Sequence, residues 1–460
     1  MPNLDPHIFR AYDIRGKANT QITQEACLLV GHAFGTQLRE MYQKDSPTVI
    51  VGHDARTHSP SFEQAMVDGL KKAGCKVFRM GQTPSPINYF TICTQKLDGG
   101  VQITASHNPA EDNGIKLQIR DAEAYSGDDL QKLRERIEVE DYLDGEGSDE
   151  EFDAISPYKK YLKDMFSGIK ENLQVVVDSG NGVAGPVYCD VLRSVGCTVT
   201  ELYTEPDGTF PNHPADPSKW ETLAELREKV KEVGADCGFG FDGDGDRVGL
   251  IDENGLIRNA DEILLLLAKD HLSRTPKAPV VFTVSNSGIL QTEIKKWGGK
   301  PIMCKVGHSF VEHAMREHSA QLGGEQSGHF FCGEDYFGFD DALIATLRLL
   351  IIRSNSDKSF SDLFSEFPKV YQAPERRPDC PDDKKAEVIE KITTHFQKDY
   401  PVETMDGARI DFGDGAWAGI RQSNTSPKIS ICIEARTEEK LKKVENEVLE
   451  HIKEYPEVKF

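Results

Sequence analysis

The sequence predicts an α/β protein of several domains, closed by a smaller α+β domain, and three observations carry that expectation. Short β-branched runs alternate with amphipathic helical stretches along most of the 460 residues, the pattern of largely buried sheets covered by helices. The repeating unit is strand, Gly-rich loop and helix, and each of the first three blocks has an unusual loop; in open α/β sheets ligands sit beyond the carboxyl ends of strands, so such loops can converge on one cleft. Over the last ninety or so residues the rhythm changes to antiparallel strands flanked by two charged helices.

Taken in order, strands are expected at TVIVG (48–52), GVQIT (100–104), LQVVVD (173–178), CGFGF (237–241), PVVFTV (279–284) and PIMCKV (301–306). Between them SFEQAMVDGLKKAG, TLAELREKVKEVG and DEILLLLAKDHL show helical spacing of apolar residues. The acidic stretch EVEDYLDGEGSDEEFD (138–153) interrupts the rhythm. It reads as a solvated linker or exposed loop, and the first boundary is placed there. In the last block ARIDFGDGAWAGIR and KISICIEA read as antiparallel strands, with PDDKKAEVIEKITTHFQ and TEEKLKKVENEVLEHIKEY as helices.

At about 100 to 200 residues per domain the length allows three or four domains. Lys and Arg number 54 against 76 Asp and Glu, a net charge of −22. Such a surface repels phosphate backbones and anionic lipid, so nucleic acid is not an expected partner. The ten cysteines are scattered without a C-x-x-C pair, which suggests neither zinc nor a disulfide framework and places the chain in a reducing cytosol. The N-terminal MPNLDPHIFRAYDIRG lacks a basic stretch leading into an apolar one, and no segment approaches the ~18 apolar residues of a membrane span. A cytoplasmic protein with no membrane partner is the expectation.

Five segments carry the chemistry. In TASHNPAEDNGIK, Ser106 stands beside His107, which suggests a hydrolase nucleophile and its base. However, adjacent side chains on an extended chain point to opposite faces, and the G-x-S-x-G elbow is missing. His107 and Lys116 can instead face phosphate oxygens. In FGFDGDGDRVGLID, Asp242, Asp244 and Asp246 would repel one another unless a cation sits among them. An EF-hand is the rival reading, since Glu253 falls at the twelfth position, but Arg247 stands where that loop needs glycine. An acidic turn without a metal is the third. Oxygen ligands favour Mg²⁺, with Arg247 beside it for an anion.

GGEQSGHFF places Glu325, Ser327 and His329 at alternate positions, on one face if the segment is extended, where they could grip vicinal sugar hydroxyls. A glycine-rich turn with incidental polar groups is the competing reading. IRQSNTSPK offers Arg421, Ser423, Asn424 and Thr425 either as a phosphate fork or as an ordinary Asn-rich turn. Lys305 and His308 lie at a strand-to-helix junction, where helix amides welcome anions. His313 and His318 miss the spacing of a zinc helix and read as helix surface.

Together FRAYDIRG (9–16), TASHNP (104–109), DGDGDR (242–247), GEQSGH (324–329) and RQSNTSP (421–427) resemble the α-D-phosphohexomutase superfamily, in its bacterial phosphomannomutase/phosphoglucomutase branch. The resemblance implies three mixed α/β domains and a C-terminal α+β domain akin to TATA-box-binding-protein folds, around a central cleft. It divides the chain into a phosphoserine domain (1–150), a metal-binding domain (151–255), a sugar-binding domain (256–368) and a phosphate-binding domain (369–460). It further implies that Ser106 carries a phosphoryl group and shares Mg²⁺ with Asp242, Asp244 and Asp246. The reaction would move phosphate between O1 and O6 of a hexose through a hexose 1,6-bisphosphate.

Lys116, His329 and Arg15 are then candidates for proton handling, with Arg247 and His107 beside the transferring group. Tyr12, Arg15, Lys305, His308, Glu325, Ser327, His329 and the Arg421 loop would bind substrate, and a monomer is expected. His53 stands where relatives commonly carry arginine, and Gln326 where close homologues may carry methionine. The S-N-T of the phosphate loop favours glucose and mannose phosphates over amino sugars. A phosphoglucosamine or phosphoacetylglucosamine mutase, a phosphosugar phosphatase and a noncatalytic sensor are the alternatives.

Overall fold

The computed structural model describes residues 4–169, 172–423 and 426–460. The chain divides into two compact units, Met1–Ile263 with Ser327–Leu363, and Leu264–Gln326 with Phe364–Phe460.

The first unit holds two sheets. One has six strands in the order Ile14–Lys17, Asp112–Ile119, Gly99–Ile103, Thr48–His53, Lys76–Gln82 and Ser148–Glu151. Its inner strands run parallel, while Asp112–Ile119 is antiparallel to both neighbours. Helices Gln24–Tyr42 and Ser59–Lys72 supply Phe34, Leu38, Phe62 and Met66 to the core with Val49, Val51 and Val101. The five-stranded second sheet runs Ile257–Arg258, Val248–Asp252, Cys237–Phe241, Gln174–Asp178 and Thr198–Leu202. Within it Cys237–Phe241 and Val248–Asp252 form an antiparallel hairpin, and its loop carries the three aspartates.

The acidic stretch is not all loop. Ser148–Glu151 forms an exposed edge strand parallel to Lys76–Gln82. Its charges suit an edge that must not pair further, and Asp149 and Glu150 meet Lys71 and Lys76 at 2.7 and 2.9 Å.

In the second unit, strands Lys300–Cys304, Pro279–Thr283 and Leu322–Gly324 run parallel in that spatial order. The C-terminal sheet is antiparallel throughout: Tyr371–Gln372, Ile429–Ala435, Trp417–Gln422, Ala408–Asp411, Val402–Glu403. Helices Asp382–Phe396 and Glu438–Ile452 share its core, with Val388, Ile392, Val444 and Val448 among Ile410, Ile420 and Ile431. Among the described residues, no helix is long and apolar enough to cross a membrane. All ten cysteines are free.

Candidate active site

Ser106 follows strand Gly99–Ile103 and adopts a φ of +51°, a left-handed backbone that costs a non-glycine residue about 1–2 kcal/mol. Surrounding hydrogen bonds hold it there. Thr104 Oγ1 accepts from the Ser106 amide at 2.8 Å. The buried Arg56 guanidinium donates to the carbonyls of Ser106, Asn108, Pro109 and Asp112 at 3.0, 2.7, 2.5 and 3.1 Å, and Asp54 fixes its Nε at 2.9 Å. Arg15, held by Asp13 at 2.6 Å, donates to the Ala105 carbonyl at 3.0 Å.

The chain therefore turns at Ser106 instead of running extended, and His107 Nδ1 comes within 3.2 Å of Ser106 Oγ. The expectation that the two side chains face apart does not hold. The serine hydroxyl nevertheless donates to Asp242 Oδ2 at 2.7 Å. Burial and the nearby Arg247 push His107 well below the ordinary histidine range, so the ring is neutral.

The loop 242–247 reaches the serine because Gly243 has no side chain; a Cβ there would lie 2.5 Å from the Ser106 carbonyl oxygen. Its three carboxylates are fully buried, with both oxygens of Asp242 and one each of Asp244 and Asp246 tied down by the protein. Asp242 Oδ1 accepts from the amides of Gly245, Asp246 and Arg247 at 3.0, 3.1 and 3.1 Å. Asp244 Oδ2 accepts from Ser85 Oγ at 2.6 Å and Lys116 Nζ at 2.8 Å. Asp246 Oδ2 accepts from Lys116 Nζ at 2.5 Å. The other oxygens of Asp244 and Asp246 are buried and accept no hydrogen bond among the described residues.

One ligand atom from each aspartate lies within 4.8 Å of the others. Orphaned buried oxygens are costly unless something binds them, and an all-oxygen set suits a hard divalent cation. Burial opposes ionisation of all three. For Asp242 it prevails, reinforced by Asp246 and Asp244, and pushes the carboxyl well above its usual range. For Asp244 and Asp246 the opposing pull of Lys116 wins and holds them below theirs. Burial likewise opposes the charge on Lys116, but Asp244 and Asp246 outweigh it and raise the ammonium well above its ordinary value. The EF-hand reading fails: both flanks are strands, and Glu253 is engaged by the Ser361 amide at 3.2 Å and hydroxyl at 2.5 Å.

Arg247 Nε donates to His329 Nε2 at 2.8 Å, which leaves the proton of a neutral ring on Nδ1, 2.8 Å from Asp340 Oδ2. The next residue, Asp341, caps helix Ala342–Ser354 through the Leu343 and Ile344 amides and accepts from the Tyr158 and Tyr336 hydroxyls. Burial pushes its carboxyl up to about 6 despite those donors. Residues 326 and 327 form a turn and Gly328 has a φ of +93°. The expectation that Glu325, Ser327 and His329 share one extended face is thereby overturned. Tyr12 is half-buried in the bend before strand Ile14–Lys17.

In the second unit, Lys305 is exposed, and His308 opens helix His308–His318 and is buried. Glu325 Oε2 accepts from the Gly307 amide at 3.0 Å. His313 is exposed and His318 half-buried. Arg421 ends near strand residue Gln422, with Nε 3.3 Å from Ser285 Oγ. Ser423 Oγ lies 3.1 Å from Arg377 Nη2 and 2.9 Å from Ser426 Oγ. Asn424 and Thr425 fall outside the described residues.

Sequence reasoning missed Arg56, Ser85, Asp340, Arg377 and the buried Lys385, whose Nζ donates to the carbonyls of Ser423 and Ser426 at 2.8 and 3.1 Å. Of these only Arg56 lies close in the chain to a residue the sequence marked, His53, three positions earlier. His53 itself is buried with Nδ1 2.7 Å from the Asp54 carbonyl.

Four family descriptions match the chain in order: the "Phosphoglucomutase/phosphomannomutase" alpha/beta/alpha domains I, II and III over 6–144, 156–255 and 259–371, and the C-terminal domain over 375–451. A phosphomannomutase/phosphoglucomutase of Pseudomonas aeruginosa is 40% identical over 444 residues, covering 96% of this chain and 95% of that protein. A phosphoglucomutase/phosphomannomutase of Thermococcus kodakarensis is 36% identical, covering 94% and 95%. The crystal structure of a phosphoglucomutase/phosphomannomutase family protein from Burkholderia thailandensis superposes with a TM-score of 0.91 at 33% identity, covering 99% of this chain and all of that one. That of a phosphomannomutase described as putative, from Thermus thermophilus, gives 0.81 at 22% identity, covering 97% and 99%, and speaks to the fold alone.

Proposed function

Because the chain belongs to the phosphoglucomutase/phosphomannomutase family, we propose that it moves phosphate between O1 and O6 of glucose and mannose phosphates as a cytoplasmic monomer, with Ser106 as resting phosphoryl carrier. The observation that carries this reading is Ser106 Oγ, fixed on a strained turn 2.7 Å from an Asp242 oxygen, beside two further carboxylates that each keep a buried oxygen without a hydrogen bond among the described residues.

The donor set fits Mg²⁺, with Asp242, Asp244, Asp246 and the phosphorylated Ser106 as its holders; when bound, the ion supplies Lewis-acid neutralisation of the transferring group. The chain's own residues do the rest. In the first half-reaction the P–Oγ bond of phosphoserine breaks as a free substrate hydroxyl bonds to phosphorus, and that hydroxyl's proton passes to a neighbouring base. Of the candidates the family pattern offers, the His329 imidazole is the group able to accept this proton, while Lys116 and Arg15, already charged, steady the intermediate, and Arg247 takes up spreading charge. The resulting hexose 1,6-bisphosphate turns round and returns its other phosphoryl group to Ser106 Oγ, which ends as it began.

By the family pattern Tyr12, Lys305, His308, Glu325 and Ser327 contact the sugar phosphate, while Arg421 with Ser423, Asn424 and Thr425 anchors the phosphate that is not transferred. A half-turn of the bisphosphate exchanges O1 with O6 and roughly superposes O3 on O4, so a site serving both orientations reads those hydroxyls and largely ignores C2, where glucose and mannose differ. A hydroxyl discriminates strongly only when the site bonds it.

Turnover of glucose 1-phosphate, mannose 1-phosphate and glucosamine 1-phosphate, with released phosphate measured alongside, tests the reading. The first two should agree in kcat/KM within about one to two powers of ten. A glucose-to-mannose gap beyond about a thousandfold, dominant turnover of glucosamine 1-phosphate, or phosphate release as the main outcome would refute it.

A further inference from the structure

The strand that leads into the Ser106 turn also anchors a helix that grips the aspartate loop. Helix Ser85–Gln95 is bolted to strand Gly99–Ile103, since Asn88 Nδ2 donates to the Val101 carbonyl at 2.9 Å and Gln102 Nε2 to the Thr83 carbonyl at 2.8 Å. Its first residue takes Asp244 at two points. The Ser85 amide donates to the Asp244 carbonyl at 2.9 Å, and the Ser85 hydroxyl donates to Asp244 Oδ2 at 2.6 Å. Ser85 is completely buried.

We infer that Ser85 is a positioning residue for the divalent ion, fixing which oxygen of Asp244 faces it. Oδ2 carries two donors, Ser85 Oγ and Lys116 Nζ, so Oδ1 alone is presented, and it is the oxygen without a hydrogen-bond partner among the described residues. The two donors are not equivalent. Lys116 also serves Asp246 and is assigned to the reacting group, whereas Ser85 is neutral, fully buried and held by a helix. When Lys116 turns to substrate, Ser85 keeps the carboxylate from rotating. Partners of this kind orient a ligand and raise metal affinity, and their loss typically costs about 10- to 100-fold in binding.

This inference rests on the divalent reading of the aspartate loop, and the test separates the two. Mg²⁺ binding to the dephosphorylated full chain is measured by isothermal titration calorimetry for wild type, Ser85→Ala and Ser85→Thr, with melting temperatures recorded in chelator. Wild type should bind one ion, Ser85→Ala about 10- to 100-fold more weakly, and Ser85→Thr, which keeps the hydroxyl, substantially more tightly than the alanine variant; both variants should melt in chelator close to wild type. No Mg²⁺ binding by wild type would refute the metal reading itself. Normal binding by wild type with unchanged affinity in Ser85→Ala, equal weakening in both variants, or weakening matched by a collapse of the chelator melting temperature would refute the role of Ser85 alone.

Discussion

Replacing Lys116 with methionine removes the ammonium that hydrogen-bonds both Asp244 and Asp246, and leaves Arg247, 3.8 Å from Asp242 and 3.9 Å from Asp246, as the cation beside them. Lys116 Nζ lies 2.8 Å from Asp244 and 2.5 Å from Asp246, with the lysine 3% and the aspartates 0% exposed. Methionine keeps the length and apolar stem of the side chain, so the perturbation is chiefly electrostatic. Removing one partner of a buried ion pair costs about 3–5 kcal/mol, because the remaining charge is left uncompensated. In chelator the Lys116→Met protein should therefore lose roughly that much stability, a fall in Tm on the order of 10 °C for a domain-sized cooperative unit. A divalent ion binding the native state should restore part of the loss by mass action, and more than it adds to wild type, since it supplies the missing positive charge. Thermal melts of both proteins in chelator and across a Mg²⁺ series are the assay. A variant as stable as wild type in chelator, or one that Mg²⁺ does not stabilise preferentially, would refute the reasoning.

Arg421→Ala should lose a charge-assisted contact to the anchored phosphate, worth about 1.5–3 kcal/mol, and steady-state assays should show kcat/KM down about ten- to a hundredfold; an unchanged value places the anchor elsewhere. Arg56→Lys keeps the charge but cannot fork to four carbonyls, so kcat at saturating substrate should fall at least about tenfold as the Ser106 turn loosens, and kinetics at wild-type level would contradict this. For His213, burial opposes the charged ring, but Asp178 at 3.1 Å outweighs it and raises the pKa. The stabilisation relative to His213→Gln is thus fully present below the ordinary value of about 6.5 and is lost as pH rises through the raised folded value. Denaturant unfolding of both proteins at a series of pH values checks the sign, and a difference that grows with pH would overturn it.

What the sequence disclosed was local. CGFGF reads as a strand from its own apolar run, and the mutual repulsion of the aspartates after it suggested a cation among them; the hairpin gathers the three into a group able to hold one. The C-terminal strands and helices were legible because each carries its own period. Arg56, Ser85 and Asp340 act at residues 50, 159 and 11 positions away, and nothing beside them in the chain marks their partners. The strand Ser148–Glu151 was hidden for a related reason: its four polar residues lack the alternation of a half-buried strand, because it takes its order from pairing with Lys76–Gln82 and from Lys71 and Lys76. The turn at 326–328 was missed because a glycine-rich segment is equally compatible with extended backbone.

The central claim is that Ser106 holds a phosphoryl group and hands it to the sugar. Enzyme labelled with radioactive phosphate, with the label mapped to the Ser106 peptide, is mixed with a slight excess of unlabelled glucose 1-phosphate in Mg²⁺ and quenched within a single turnover. The account predicts that label leaves Ser106 and appears in hexose bisphosphate and then in hexose monophosphate, and that Ser106→Ala takes up none. Label that stays on Ser106 through many turnovers, or that passes only to inorganic phosphate, would contradict it.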